Sequence, residues 1–353
     1  MRNSFNTAGF SEVVHETRDD PAEAWYAYQG KAHYSPRRGL SARNGPALLG
    51  RVKSARAFSL DLCDPGQDGD EPPAASDEPA PIDLALTGIA SCSLKTLVGG
   101  GSARGVVFDT VEMLIEYGAA EGRSGHTVNC QFEVGGPAGH RLIAELLDQV
   151  QNHSPNHKTL TAEIPLDVHY ADGSGHVVHE RLSGVEPFAS RHRPARRRVR
   201  WISGVQLESY PVPATGPPLR IDSPKQTTGV DWGPNPQEHL LMGMASDVAA
   251  NLGRLSREHL GRQLRWEVAA AGGVDIRGLL HADPAAIVHL QDVGCTISVP
   301  GNLEDEPDLL SIARTAVEQS EVSNLICRRQ AVGVSLKPPI YRAPSWQRGR
   351  AAS

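Results

Sequence analysis

The stretch PIDLALTGIASC, residues 81–92, aligns without gaps with PQEHLLMGMASD, residues 236–247. Pro81/Pro236, Leu86/Leu241, Gly88/Gly243, Ala90/Ala245 and Ser91/Ser246 coincide, and Asp83 stands opposite Glu238. The offset of 155 residues is close to half of a 353-residue chain. Self-similarity at a long fixed offset marks a duplicated structural unit. Both segments read as helices. Leu84, Leu86, Ile89, Ala90, Leu94 and Leu97 supply the apolar positions of the first, and Gly99-Gly100-Gly101 is expected to end it. Leu241, Met244, Ala245, Val248 and Leu252 give the second the i, i+3, i+4, i+7 spacing of a buried face.

The flanks agree. A β-rich, turn-rich stretch precedes each helix. Strands are expected over 105–117 and 127–134 in the first half, and over 264–271 and 287–299 in the second. A further helix follows at 138–152 and at 307–319, then a closing strand at 163–169 and at 330–336. Each half therefore reads β-rich, α, β, β, α, β, an α+β unit without regular βαβ alternation. The expected organisation is an extension over 1–25, repeats over 26–185 and 186–340, and a tail over 341–353.

Composition narrows the function classes. Thirty-five basic and 41 acidic residues give a net charge of −6, which argues against a dedicated nucleic-acid binder. No uninterrupted apolar run approaches the ~20 residues of a membrane span. Residues 1–16 lack a signal-peptide pattern, so a cytoplasmic location is expected. Cys63, Cys92, Cys130, Cys295 and Cys327 are scattered and form no CxxC pair, so neither a disulfide framework nor a structural zinc site is indicated. No cofactor is expected. Two segments break the repeat. Residues 64–79 carry six acidic side chains among Pro, Gly and Ser, the pattern of a solvated loop. Residues 191–200, RHRPARRRVR, carry six arginines. They read either as an anion site or as a linker entering a strand, with pairing to the acidic loop a further option.

Residues 81–92 resemble the Pro-x-Glu-Leu-Leu-x-x-Ala-x-x-x-Cys helix of the osmotically inducible protein C and organic hydroperoxide resistance (OsmC/Ohr) superfamily. Residues 153–160, HSPNHKTL, resemble its second motif, with Ser154 where a cysteine opens that helix. The second half repeats both. Residues 236–247 carry Asp247 at the first cysteine position, and residues 320–325, SEVSNL, carry Ser320 at the second. Residues 199–224 resemble the family's N-terminal strands. The resemblance implies a tandem two-copy member folded as an intrachain pseudo-dimer, with a small-molecule site in a pocket between or within the copies. That pseudo-dimer would be monomeric or would form a homodimer. The family's peroxidase cycle needs two thiols, one oxidised to a sulfenic acid and one resolving it. Of four motif positions only Cys92 holds a cysteine, so the dithiol cycle is expected to be absent.

Candidate catalytic residues are then Cys92, Asp247, His153 and His157, and candidate binding residues are Ser154, Lys158, Asp83, Glu238 and Ser320. Cys92 reads either as a nucleophile whose thiolate is favoured by His153, His157, Lys158 or an arginine, or as a small core residue. Ser154 before Pro155 is a preferred helix N-cap. His153 would lie before that cap, so the pair with His157 lacks helical metal-ligand geometry, and no metal is expected. Asp247 falls on the most buried face of its helix, where a carboxylate needs an arginine partner or titrates near neutrality as an acid or base. Asp83 and Glu238 suit helix N-termini. Other small-molecule chemistry through Cys92 or Asp247 is one reading. A non-catalytic ligand-binding or scaffold protein is the other.

Overall fold

The computed structural model describes residues 3–64, 77–119, 126–183, 194–303 and 305–337. The fold is mixed α+β, with two sheets and eight α-helices among the described residues. Helix α1 (Thr7–Asp19) comes first. A β-rich run follows: β1 (Trp25–Ser35), β2 (Gly39–Asn44), β3 (Ala47–Leu49), β4 (Val52–Ser54) and β5 (Ser59–Leu62). Next are α2 (Pro81–Ala103), β6 (Thr110–Ala119), β7 (His126–Gly135), α3 (His140–His153), α4 (Pro155–Leu160), β8 (Leu166–Ala171) and β9 (Val177–Leu182). The order then recurs through β10 (Ala195–Ser203), β11 (Gln206–Pro211), β12 (Leu219–Ile221), α5 (Pro236–Leu260) and β13 (Trp266–Asp275). It closes with α6 (Ile276–Leu279), β14 (Gln291–Ser298), α7 (Pro307–Glu318), α8 (Glu321–Cys327) and β15 (Ala331–Lys337).

Each sheet draws strands from both halves of the chain. One has the central order β1-β13-β14-β8, and the other β10-β6-β7-β15. The pairs match: β14 with β8 and β15 with β7 are parallel, and the others in these two series are antiparallel. Helix α5 packs on the first sheet, α2 on the second, and the two helices pack on each other. Residues such as Tyr26, Tyr28 and Tyr34 alternate inward along β1, the period of a half-buried strand.

The residues shared by the two aligned segments have matched tasks. Pro81 and Pro236 each occupy the first helical turn, where a missing N–H costs nothing. Asp83 accepts from the Ala80 N–H at 3.0 Å, and Glu238 from the Asn235 N–H at 2.7 Å. Ser91 and Ser246 bond back to Thr87 and Met242 carbonyls one turn earlier. Gly88 and Gly243 sit where α2 crosses α5. A Cβ on Gly88 would stand 2.5 Å from the Pro236 carbonyl oxygen, and one on Gly243 2.9 Å from that of Pro81.

Two expectations need correction, the glycine stop and the closing strand of the first half. Gly99-Gly100-Gly101 lie inside α2, which continues to Ala103. Their missing side chains make room for Phe5, Gln149 and Phe108 instead. Residues 1–25, expected as an N-terminal extension, include helix α1. The helices expected over 138–152 and 307–319 are α3 and α7, each followed by a short helix, α4 after Ser154 and α8 after Ser320. The strand expected to close the first half is instead followed by a hairpin strand, β9, after β8. Finally, α2 is long and apolar enough by length and composition to cross a membrane, despite its interrupted apolar run. Within this fold 78% of that window is buried, so core packing accounts for its apolarity.

The arginines of residues 194–200 lie on β10. Arg196 pairs with Glu116 at 2.8 Å, and Arg198 and Arg200 with Glu112 at 3.3 and 3.1 Å, across the ladder to β6. Arg197 points to the other face, buried, and donates to Ser209. Thus the described part of the basic run is a cross-strand ion ladder. Residues 65–76 and 184–193, with the rest of both charged segments, lie outside the described residues, as does the 341–353 tail.

Candidate functional site

Helix α2 carries Cys92, Lys95 and Thr96 on the face toward the start of α5. They border a cavity of about 320 Å³. Its polar floor is Cys92, Lys95, Ser223 and Gln237, contributed from both sides of residue 186. Phe5, Phe10 and Val14 from the N-terminal helix region, with Tyr28, Val274 and Leu279, make apolar walls. Phe5 and Phe10 stack at 4.6 Å and close one side. A concave, mostly apolar space with a few convergent polar groups is the usual form of a small-molecule site.

Burial raises the Cys92 thiol pKa, because a desolvated thiolate loses its hydration. Against that act the Ser154 hydroxyl, the Asn156 backbone N–H, the Lys95 charge and Gln237, whose Nε2 lies 3.7 Å from Sγ. The other buried cysteines are held differently. Cys130 and Cys327 are pushed up to about 12 by burial, and Cys295 to about 12 with Cys327 adding to it. Cys63 reaches about 12 through burial and neighbouring carboxylates. Cys92 alone among them borders the cavity.

Lys95 is the residue that sequence reasoning missed. It lies one turn beyond Cys92, and its ammonium donates to Ser223 Oγ. Desolvation lowers its pKa to about 8, with Arg56 acting the same way; Asp222, Cys92 and Glu238 partly oppose it. The signal was available, since Lys95 is the single basic residue in α2. The Asp222 carboxylate that opposes it is held by the backbone N–H groups of Ser223, Val230 and Trp232.

The remaining predicted site residues separate into groups. Ser154 is the N-cap residue of α4, but its side chain makes no cap hydrogen bond and its buried Oγ has no hydrogen-bond partner among the described residues; its hydroxyl acts on Cys92 by lowering the thiol pKa. His153 ends α3, bonds to the Gly278 carbonyl at 3.0 Å, and stacks at 3.5 Å on His281, which lies at the cavity edge. His157 is buried within α4, lowered to about 4 by burial and by the neighbouring Lys158. Neither His157 nor Lys158 borders the cavity. Glu238, beside Gln237, receives Arg56 at 2.7 Å and Asn44 at 3.1 Å. Burial raises its pKa and Arg56 lowers it. Asp83 is raised by burial and eased by Arg197.

At the matched position on α5, Asp247 Oδ2 accepts from the Ser320 hydroxyl at 2.7 Å and the Val322 N–H at 3.0 Å. Ser320 Oγ in turn accepts from the Ser323 N–H at 3.0 Å. The carboxylate thus satisfies the start of α8, where unpaired backbone donors favour an anion. Ser320 and Asp247 come together, but neither borders the Cys92 cavity.

No family model and no curated protein matches the sequence. Among solved structures, the chain is similar to an OsmC-like protein from Mycoplasma pneumoniae. The identity is 20% over 38% of this chain and 86% of that one, with a TM-score of 0.29.

Proposed function

We propose that the chain is a diverged tandem OsmC-like protein, an intrachain pseudo-dimer acting on a small molecule in the cavity beside Cys92, with Cys92 as a lone thiol nucleophile. The observation that carries this reading is the contrast at one motif position. Cys92 opens onto a cavity of about 320 Å³, while Asp247 is bonded into a helix start. The pseudo-dimer is supported by the matched strand orders with halves exchanged. The four groups that favour the Cys92 thiolate would assist attack on an electrophile. With serine at positions 154 and 320, resolution of an oxidised Cys92 would fall to an external thiol. Asp247 serves in this account as structure and not as acid or base.

Iodoacetamide labelling read peptide by peptide tests the reading. Cys92 is to react faster than Cys130, Cys295 and Cys327, and Cys92→Ser is to abolish consumption of an organic peroxide supplied with an external thiol. Labelling of Cys92 at the rate of those three thiols contradicts it. The second reading, a non-catalytic ligand-binding protein, draws on one observation: burial dominates the Cys92 thiol and keeps it protonated at rest. Ligand protection of Cys92 without turnover would select that reading.

A further inference from the structure

The floor of the cavity offers an amine as well as a thiol. Lys95 sets a primary amine into a space walled by Phe5, Phe10 and Tyr28, hydrogen-bonded to Ser223 Oγ, with the Gln237 carboxamide beside Cys92 on the same floor. It makes no ion pair within 4.0 Å among the described residues. Burying an amine without a contacting carboxylate is costly, so a fold that keeps one in an apolar cavity has a use for it. Two uses are chemically open: an ammonium that anchors an anion, or a neutral amine that attacks a carbonyl.

The charges decide between them. The groups whose fields reach Lys95 are the Asp222 and Glu238 carboxylates, the Arg56 guanidinium and the Cys92 thiol. Two negative groups face Arg56 and Lys95 itself, so the floor carries no surplus positive charge for an anionic head. A neutral head meets no such obstacle. We infer that the cavity takes an apolar aldehyde or ketone and that Lys95 captures its carbonyl carbon as an imine. This rests on the reading of the Cys92 cavity as a ligand site. The neutral amine adds to the carbonyl carbon, the resulting carbinolamine loses its oxygen as water, and a C=N bond replaces C=O. No oxidant or reductant is consumed. Desolvation supplies the neutral amine, since a lysine near pKa 8 is far more often unprotonated at neutral pH than one in water.

The test uses the intact protein with octanal and cyanoborohydride, which reduces the imine to a stable octylated lysine, mapped by peptide mass spectrometry. Lys95 is expected to label at least roughly tenfold faster than exposed Lys225 at neutral pH, with a rate that rises through pH 8. Lys95→Arg keeps the charge and is to abolish the fast site. Octanol, which has no carbonyl, is to slow alkylation of Cys92 in both proteins. Labelling of Lys95 no faster than Lys225, with octanol still protecting Cys92, overturns the imine and leaves the cavity reading standing. Failure of octanol to protect Cys92 in either protein overturns the cavity reading, and the inference with it.

Discussion

Cys92 on α2 and Asp247 on α5 occupy the same position of a twelve-residue motif, and each faces a serine that begins a short helix, Ser154 or Ser320. From that shared start the two regions diverge. Around Asp247 the hydrogen bonds close: carboxylate to Ser320, carboxylate to Val322, Ser320 to Ser323. Around Cys92 they stay open, since the Ser154 hydroxyl caps nothing and the thiol borders a cavity. The helix pair thus presents a sealed and an open arrangement at matching positions of the two aligned segments. The difference teaches that the same position can hold a hydrogen-bonded carboxylate in one segment and a cavity-bordering thiol in the other. A carboxylate beside a helix start is satisfied by backbone donors that a thiol binds weakly.

The comparison can be stressed in several ways. The largest effect is expected in acid. His157 and His239 are both held neutral, lowered from 6.5 to about 4 chiefly by burial. Between pH 6.5 and 4 the unfolded chain binds protons that the native state refuses, so stability falls as pH falls through that window. Each histidine contributes about 3 kcal/mol to the loss at full extent. Denaturant melts at pH 7 and pH 4.5 check this, and His157→Gln is to reduce the difference by about half, the His239 share remaining.

Next is Asp247→Ala. It strips the acceptor from the Ser320 hydroxyl and the Val322 N–H, and is expected to cost about 2–3 kcal/mol. Octanol protection of Cys92 should not change. Loss of protection there would couple the sealed copy to the open one and break the comparison. A similar loss, about 1–3 kcal/mol, is expected for Gly88→Ala and for Gly243→Ala, because either Cβ meets backbone at the α2–α5 crossing. Equal losses in the two would sharpen the likeness of the helices. The smallest effect is expected for Cys92→Ala, below about 1 kcal/mol, since a thiol bordering a cavity leaves few packed neighbours behind.

Much of this framework was readable along the chain. The Pro, Gly, Ser and acidic positions of residues 81–92 and 236–247 are local requirements of a helix start, a helix crossing and a back-bonded hydroxyl, so they survive as a visible pattern. What could not be read is non-local. Hydrophobic alternation marks β13 as a strand but carries no sign that its partner is β1, some 240 residues earlier. The cavity has the same character: Phe5, Lys95, Ser223 and Gln237 meet through tertiary packing alone. Lys95 stands alone as a basic residue among the apolar positions of α2, but its place at a cavity has no local signature. For Asp247 the sequence offers an arginine partner or titration, while the donors it meets on α8 lie more than 70 residues away and leave no local mark. The triple glycine reads as a stop because helical glycine costs about 1 kcal/mol, a penalty that close packing of Phe5 and Phe108 against α2 outweighs.

The most direct test of the open and sealed copies places a thiol in each. In Asp247→Cys, iodoacetamide labelling read by peptide mapping compares the thiols at positions 92 and 247, with unlabelled Cys130 as the internal sign that the fold is intact. The account predicts rapid labelling at position 92 and little at position 247. Equal rates at the two positions, with Cys130 still protected, would contradict it.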